Sequence, residues 1–191
     1  MFMESNKIIL AVTGASGSVY ALRLLEKLGK LEEKPDETAV VFSDRGKEIW
    51  EYETGKKFSA GSGIREYSNA DFYAPFASGS SDYGTMIICP SSMGMIGRIA
   101  NGTADDLISR AADVILKERR KLIIVPRETP YNLIHIRNLE KLTLAGAVIC
   151  PASPSFYSLP KTLDDLVMTV VDRIIDLAGF KSDTFRWSMN D

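Results

Sequence analysis

Three groups of residues in this chain have the types and spacing to do chemistry. The first is Thr13-Gly14-Ala15-Ser16-Gly17, which follows an apolar run at 8–12 and precedes a helical pattern carrying Ala21, Leu22, Leu25 and Leu28 on one face. Strand, glycine turn and helix is a layout that holds phosphate, because the first amides of a helix point outward and its dipole favours an anion. Ser16 adds a hydroxyl. A ligand-free tight turn has the same layout, so the motif alone leaves both readings open. The second group is Arg127-Glu128, after the apolar run 122–125. A guanidinium fork beside a carboxylate can neutralise a phosphate and move a proton; it can also be the first turn of the next helix. The third is a set of cations. Arg110 and Lys117 lie seven apart and share one helix face, and Arg173 interrupts an apolar helical pattern. For the Arg110–Lys117 pair a solvated helix surface is the other reading.

The elements that must position these residues are legible as a repeating pattern. Five Val- and Ile-rich runs occupy 8–12, 38–42, 86–89, 122–125 and 147–150. Helical patterns fill most of the gaps: one behind the glycine turn, one from Gly46 to about Tyr52, one from Ser92, one opening with a capping box at Thr103-Ala104-Asp105-Asp106, one over 133–144, and one opening at Thr162. Alternating strands and helices predict a three-layer α/β fold, an open parallel sheet of Rossmann-like type with helices on both faces. No repeat or boundary divides the chain, so 1–191 reads as one domain. The stretch 54–81, rich in Gly, Ser and aromatics, reads as partly disordered or as a functional loop. In an open parallel sheet, ligands bind beyond the carboxyl ends of the strands. Those ends carry the glycine turn, Ser43-Asp44, Pro90-Ser91-Ser92, Pro126-Arg127-Glu128 and Pro151-Ala152-Ser153 with Phe156-Tyr157. Small hydroxyls, an Arg-Glu pair and a tyrosine suit a phosphorylated ligand with an apolar body.

Several classes are disfavoured. The formal net charge is −2, which gives no support for a nucleic-acid or membrane partner. No apolar run approaches the roughly 18 residues of a spanning helix. Residues 1–7 are polar and lead directly into the first strand, so a cytoplasmic setting is expected. Cys89 and Cys150 each end an apolar run before a proline, as buried strand-end residues do, and lack metal-ligand spacing. His135, the single histidine, sits on an apolar helix and reads as structural. A dinucleotide fingerprint needs a glycine where Ser16 stands; Asp44 could still hold a ribose.

Taken together and in order, "TGASG" (13–17), "APFASGS" (74–80), "ICPSS" (88–92), "RAADVILKERR" (110–120), "VPRETP" (125–130), "GAVICPASPSFY" (146–157) and "DLV…VVDRI" (165–174) resemble the UbiX-type flavin prenyltransferases, a group of flavodoxin-like flavoproteins. The resemblance covers nearly the whole chain. It implies reduced FMN, dimethylallyl monophosphate as prenyl donor, bonds to flavin N5 and C6 without a metal ion, a prenylated-FMN-dependent decarboxylase as product acceptor, and trimers packed into dodecamers. It implies flavin contacts at Gly14, Ala15, Ser16, Ser43, Ser92, Met93, Gly94, Met95 and Arg127. It implies prenyl-phosphate contacts at Lys117, Arg127, Tyr157 and Arg173. Glu128 matches the acid/base of the family, Ser16 and Glu53 match polar residues that support it, and Lys117 serves the leaving group. The family usually has Ser-x-x-Thr after the third of these strands, whereas Ser92-Met93-Gly94-Met95 offers no hydroxyl at Met95. Phe72, Tyr73 and Phe76 are candidates to wall an allylic cation, although core filling explains Phe76 equally well, and Trp187 matches a tail tryptophan of the family. The rival readings are a peptidyl-cysteine decarboxylase, which would use an early histidine that this chain lacks, and a non-enzymatic FMN-binding electron-transfer protein.

Overall fold

The structure is a computed structural model and describes residues 6–186. Its strands are β1 (Lys7–Val12), β2 (Thr38–Phe42), β3 (Ile64–Tyr67), β4 (Tyr83–Ser91), β5 (Lys121–Pro126) and β6 (Val148–Ile149). Its helices are α1 (Ser18–Leu28), α2 (Asp44–Thr54), α3 (Met93–Ala100), α4 (Leu107–Lys117), α5 (Leu133–Leu144) and α6 (Leu163–Ala178). The strands pair in parallel in the order β3-β2-β1-β4-β5-β6.

Continuous apolar runs make the central strands because both sheet faces are covered. Ile9, Ala11, Met86, Ile88 and Ile124 pack with Ile96 of α3, Leu107 and Ile108 of α4 and Leu142 of α5. Ile8, Leu10, Val12, Ile87 and Val125 pack with Leu24 of α1, Trp50 of α2 and Val171 of α6. The result is the expected three-layer sandwich. Among the described residues no helix is long and apolar enough to cross a membrane.

The stretch 54–81 differs from expectation, because it supplies β3 and a short 3-10 turn, Pro75–Ala77. Only Ile64 and Tyr67 of β3 turn inward, and Arg65 and Glu66 are exposed, as befits a polar edge strand. So short a run carries little hydrophobic signal. The five expected strands alone have the order 2-1-3-4-5; the sixth extends it to 3-2-1-4-5-6. Phe76 is core, edge-on to Tyr67 and Tyr83 at 5.0 and 5.1 Å between ring centres, whereas Phe72 and Tyr73 are exposed.

Helix starts follow their caps. Ser43 and Ser92 accept the third amides of α2 and α3, and Thr162 and Asp165 cap α6 reciprocally. The capping box of α4 is Asp106 with Ser109, three residues later than the expected start at Thr103. Asn69 explains the shift: its carbonyl accepts the Leu107 amide at 2.8 Å and its side chain accepts the Ile108 amide at 3.1 Å. A loop distant in sequence thus completes the helix start.

Candidate active site

The strand order reverses between β1 and β4, and the crevice at such a switch point is where a ligand fits. One residue ties its two sides. The Thr13 hydroxyl donates to the Pro90 carbonyl at 3.0 Å and accepts the Ser92 amide at 2.8 Å. On the other side, Gly46 lies so close to β1 that a Cβ there would stand 2.3 Å from the Val12 carbonyl oxygen. The starts of α2 and α3 therefore converge beside the glycine turn. Between them lies a cleft of about 470 Å³ lined by Thr13, Gly14, Ser43, Asn69, Ser92, Gly94, Met95, Arg98 and other residues.

The glycine turn is a built anion site, and a side chain of this chain fills it. Gly17 has φ 114°, a left-handed conformation that favours glycine, and its amide donates to both Glu53 carboxylate oxygens at 3.2 and 2.9 Å. The Ser18 amide donates to Glu53 at 2.7 Å. These amides therefore serve Glu53, and the expectation of a phosphate on them is corrected. Burial works to raise the Glu53 pKa, but hydrogen bonds from the Ser16 hydroxyl and the Ser18 and Gly17 amides outweigh it and hold the carboxyl below its ordinary value.

Arg127 joins this turn from β5, its Nε donating to the Ser16 carbonyl at 2.9 Å. Glu128 stands exposed beside it and accepts the Thr129 amide at 2.9 Å. The alternative reading of Arg127-Glu128 as a first helical turn fails, since α5 begins at Leu133 with its own cap, Asn132. His135 completes that cap, a structural role as expected. Ser16, Glu53, Arg127 and Glu128 thus occupy one rim.

The other expected residues divide. The β6–α6 loop continues along the rim, with Cys150 and Ala152 amides donating to the Ile124 and Pro126 carbonyls. Arg173 lines a cleft of about 640 Å³ with Cys150, Ser153 and Ser155. Tyr157 lies exposed in the same loop. Ala15 and Met93 are buried and do not line the cleft. Both thiols are free; burial pushes Cys89 up, and it pushes Cys150 up against the opposing charge of Arg173. Trp187 lies outside the described residues.

Lys117 is not brought to this rim within one chain. It ends α4, pairs with Glu118 and stands near Gly79, where Arg120 also binds the Gly79 carbonyl at 2.7 Å. That is the start of β5, and Arg127 follows its end, about 20 Å away along six strand residues. Arg110 holds the Ala77 carbonyl at 3.1 Å, so the shared face of Arg110 and Lys117 receives the 74–80 segment. Periodicity shows that residues share a face but not which end of the sheet that face reaches.

Sequence reading missed Asn69, Arg98 and Asp106 in the cleft. Arg98, nearly two turns after the α3 cap Ser92, carried a usable signal; Asn69 carried none, because it arrives from the β3–β4 loop.

Residues 2–176 match the model of the Flavoprotein family. A flavin prenyltransferase UbiX from Thermoplasma acidophilum is 42% identical over 184 residues, covering 95% of this chain and 99% of the relative. The chain belongs to the flavin prenyltransferase family. Two solved structures agree in fold. AnUbiX (PadA1), in complex with FMN and dimethylallyl pyrophosphate, gives a TM-score of 0.89 at 38% identity over 97% of this chain and 98% of that one. A dodecameric FMN-dependent Ubix-like decarboxylase from Escherichia coli O157:H7 gives 0.87 at 37% identity over 95% and 99%.

The switch-point cleft fits the flavin of a flavin prenyltransferase. A Cβ at Gly94 would meet nothing within 4 Å, so a ligand can approach the first amides of α3. Ser43 and Ser92 each accept an amide from their own helix, which leaves the hydroxyl hydrogen to donate to a phosphate oxygen. Met95, where the resemblance leads one to expect a threonine, is buried, and its sulfur lies 3.7 Å from Arg98 Nη2.

Proposed function

We propose that this chain transfers the dimethylallyl group of dimethylallyl monophosphate to N5 and C6 of reduced FMN, without a divalent metal, and passes prenylated FMN to a partner decarboxylase. The observation that carries the reading is the meeting of Ser16, Glu53 and Arg127 at one turn, with Glu128 next to it. Reduced FMN supplies the two nucleophilic centres. Ser43, Ser92 and the first amides of α3 hold its phosphate end. Glu53, ionised across the neutral range, fixes the α1 turn and orients the Ser16 hydroxyl. Arg127 is anchored through Nε, so its terminal nitrogens are left to meet the departing phosphate, with Tyr157 and Arg173 from the adjoining loop and helix. As C6 bonds to the far carbon of the prenyl alkene, the neighbouring alkene carbon takes up a proton, and Glu128, solvated and next to that cation, accepts the proton released from C6.

Lys117 joins this set through a second copy of the chain. The dodecameric relative and the exposed apolar side chains Leu133, Ile134 and Ile136 at the start of α5 support assembly of this chain into trimers and dodecamers. A cytoplasmic setting is supported by two buried unpaired thiols.

The test is anaerobic incubation of the chain with reduced FMN and either dimethylallyl monophosphate or the diphosphate, with EDTA present, followed by mass measurement of the extracted flavin. The expected result is flavin carrying one added dimethylallyl group from the monophosphate. Unchanged flavin from both donors refutes the reading.

A further inference from the structure

We propose that Arg98 binds the phosphate of FMN in this chain, replacing the hydroxyl that Met95 does not offer; the inference rests on the flavin prenyltransferase reading above. Residues 95 and 98 lie one helical turn apart on the same side of α3, and both line the switch-point cleft. The Met95 side chain is 1% exposed, with its sulfur against Arg98 Nη2. The position that a hydroxyl would serve is thus bordered by a guanidinium.

That guanidinium is held in place. Nη1 lies 3.2 Å from Asp105 and 3.1 Å from the Asp106 carboxylate oxygen Oδ2. Asp106 is itself fixed, because its other oxygen caps α4 by accepting the Ser109 amide at 2.7 Å and the Ser109 hydroxyl at 2.6 Å. A guanidinium carries five N–H donors, and these carboxylates engage only Nη1. Sulfur is a weak acceptor, so exchanging it for a phosphate oxygen gains a charge-assisted hydrogen bond. Charge also requires a cation here. Asp44 and Asp106 line the same cleft, and without Arg98 they would face a dianionic phosphate with no counter-charge beyond the solvated, Glu48-paired Arg45.

The test compares FMN with riboflavin, which lacks the phosphate, by flavin fluorescence titration of the full chain. Wild type is expected to prefer FMN. Arg98→Met should weaken FMN binding about 10- to 100-fold and leave riboflavin binding unchanged. Adding Met95→Thr to that variant should restore part of the loss. The inference is overturned if Arg98→Met binds FMN like wild type, if it loses FMN and riboflavin equally, as a purely structural role would require, or if wild type does not distinguish the two. A wild-type chain that binds neither flavin overturns the flavin site itself.

Discussion

The Glu53 carboxylate accepts the Gly17 amide through both oxygens, at 3.2 and 2.9 Å, so an acid from the last turn of α2 caps the start of α1. One contact joins two consecutive βα units exactly where a mononucleotide phosphate would otherwise sit. It fixes the turn from which Ser16 projects and to which Arg127 is tied. The anion site at α1 is structural, and the switch-point cleft is left for the ligand.

This contact should be visible in stability. Glu53 has a folded pKa below its ordinary value, so its contribution is present above the ordinary carboxylate range and is lost as pH falls through the folded value. Glu53→Gln keeps the shape and removes the charge. At pH 7 the variant should melt about 2–4 °C lower, corresponding to about 1 kcal/mol. The difference should vanish once pH falls below the folded value, where the wild-type carboxyl is also neutral. Scanning calorimetry of both proteins across this range is the check, and a gap that persists at low pH would contradict the electrostatic account.

Gly46→Ala should strain the junction of α2 with β1. The new Cβ would meet backbone, the Val12 carbonyl oxygen at 2.3 Å and its carbon at 2.9 Å, which cannot rotate away. A loss of about 1–3 kcal/mol is expected, together with weaker FMN binding, since α2 carries Ser43. Urea unfolding and flavin titration measure the two effects separately.

Glu128→Gln should separate binding from turnover. Glu128 is exposed and its resolved protein contact is the next residue's amide, so fold and FMN binding should survive. An amide cannot take a proton, and product formation should slow about 10²–10⁴-fold. The N5-linked adduct has the mass of the product but a different visible spectrum, so rapid mixing of reduced protein with dimethylallyl monophosphate, followed by absorbance, reads the rate of ring closure. Wild-type turnover removes Glu128 from the mechanism; loss of FMN would assign it a structural role.

A mixed assembly tests the place of Lys117. Lys117→Ala and Arg127→Ala, each alone, should lose about 10²–10³ in rate. Co-expressed and co-purified, they should regain measurable activity, because some interfaces then pair an intact Lys117 with an intact Arg127. Mixed oligomers as inactive as the parents would show that no site is shared between copies.

Sequence alone determined the layers and most of the rim. Short Val/Ile-rich runs such as 122–125, alternating with helical patterns, read as strands buried on both faces, and local signals such as Thr162 with Asp165 mark helix starts, because the interactions that decide them span a few residues. The glycine turn, Ser43, Ser92 and Arg127-Glu128 were legible for a related reason: a parallel sheet fixes which strand ends carry function.

Tertiary structure decided what depends on residues distant in the chain. It gave β3, whose polar sequence gains strand structure by pairing with β2. It moved the start of α4 to Leu107, where Asn69 supplies acceptors. It put Glu53 into the anion site of α1, 36 residues earlier, and set Arg98 against Met95, paired with Asp105 and the capping Asp106. It sent Lys117 to the opposite end of β5. Periodicity fixes direction around an element, whereas position along the sheet and the partner across a cleft are set only when the layers pack.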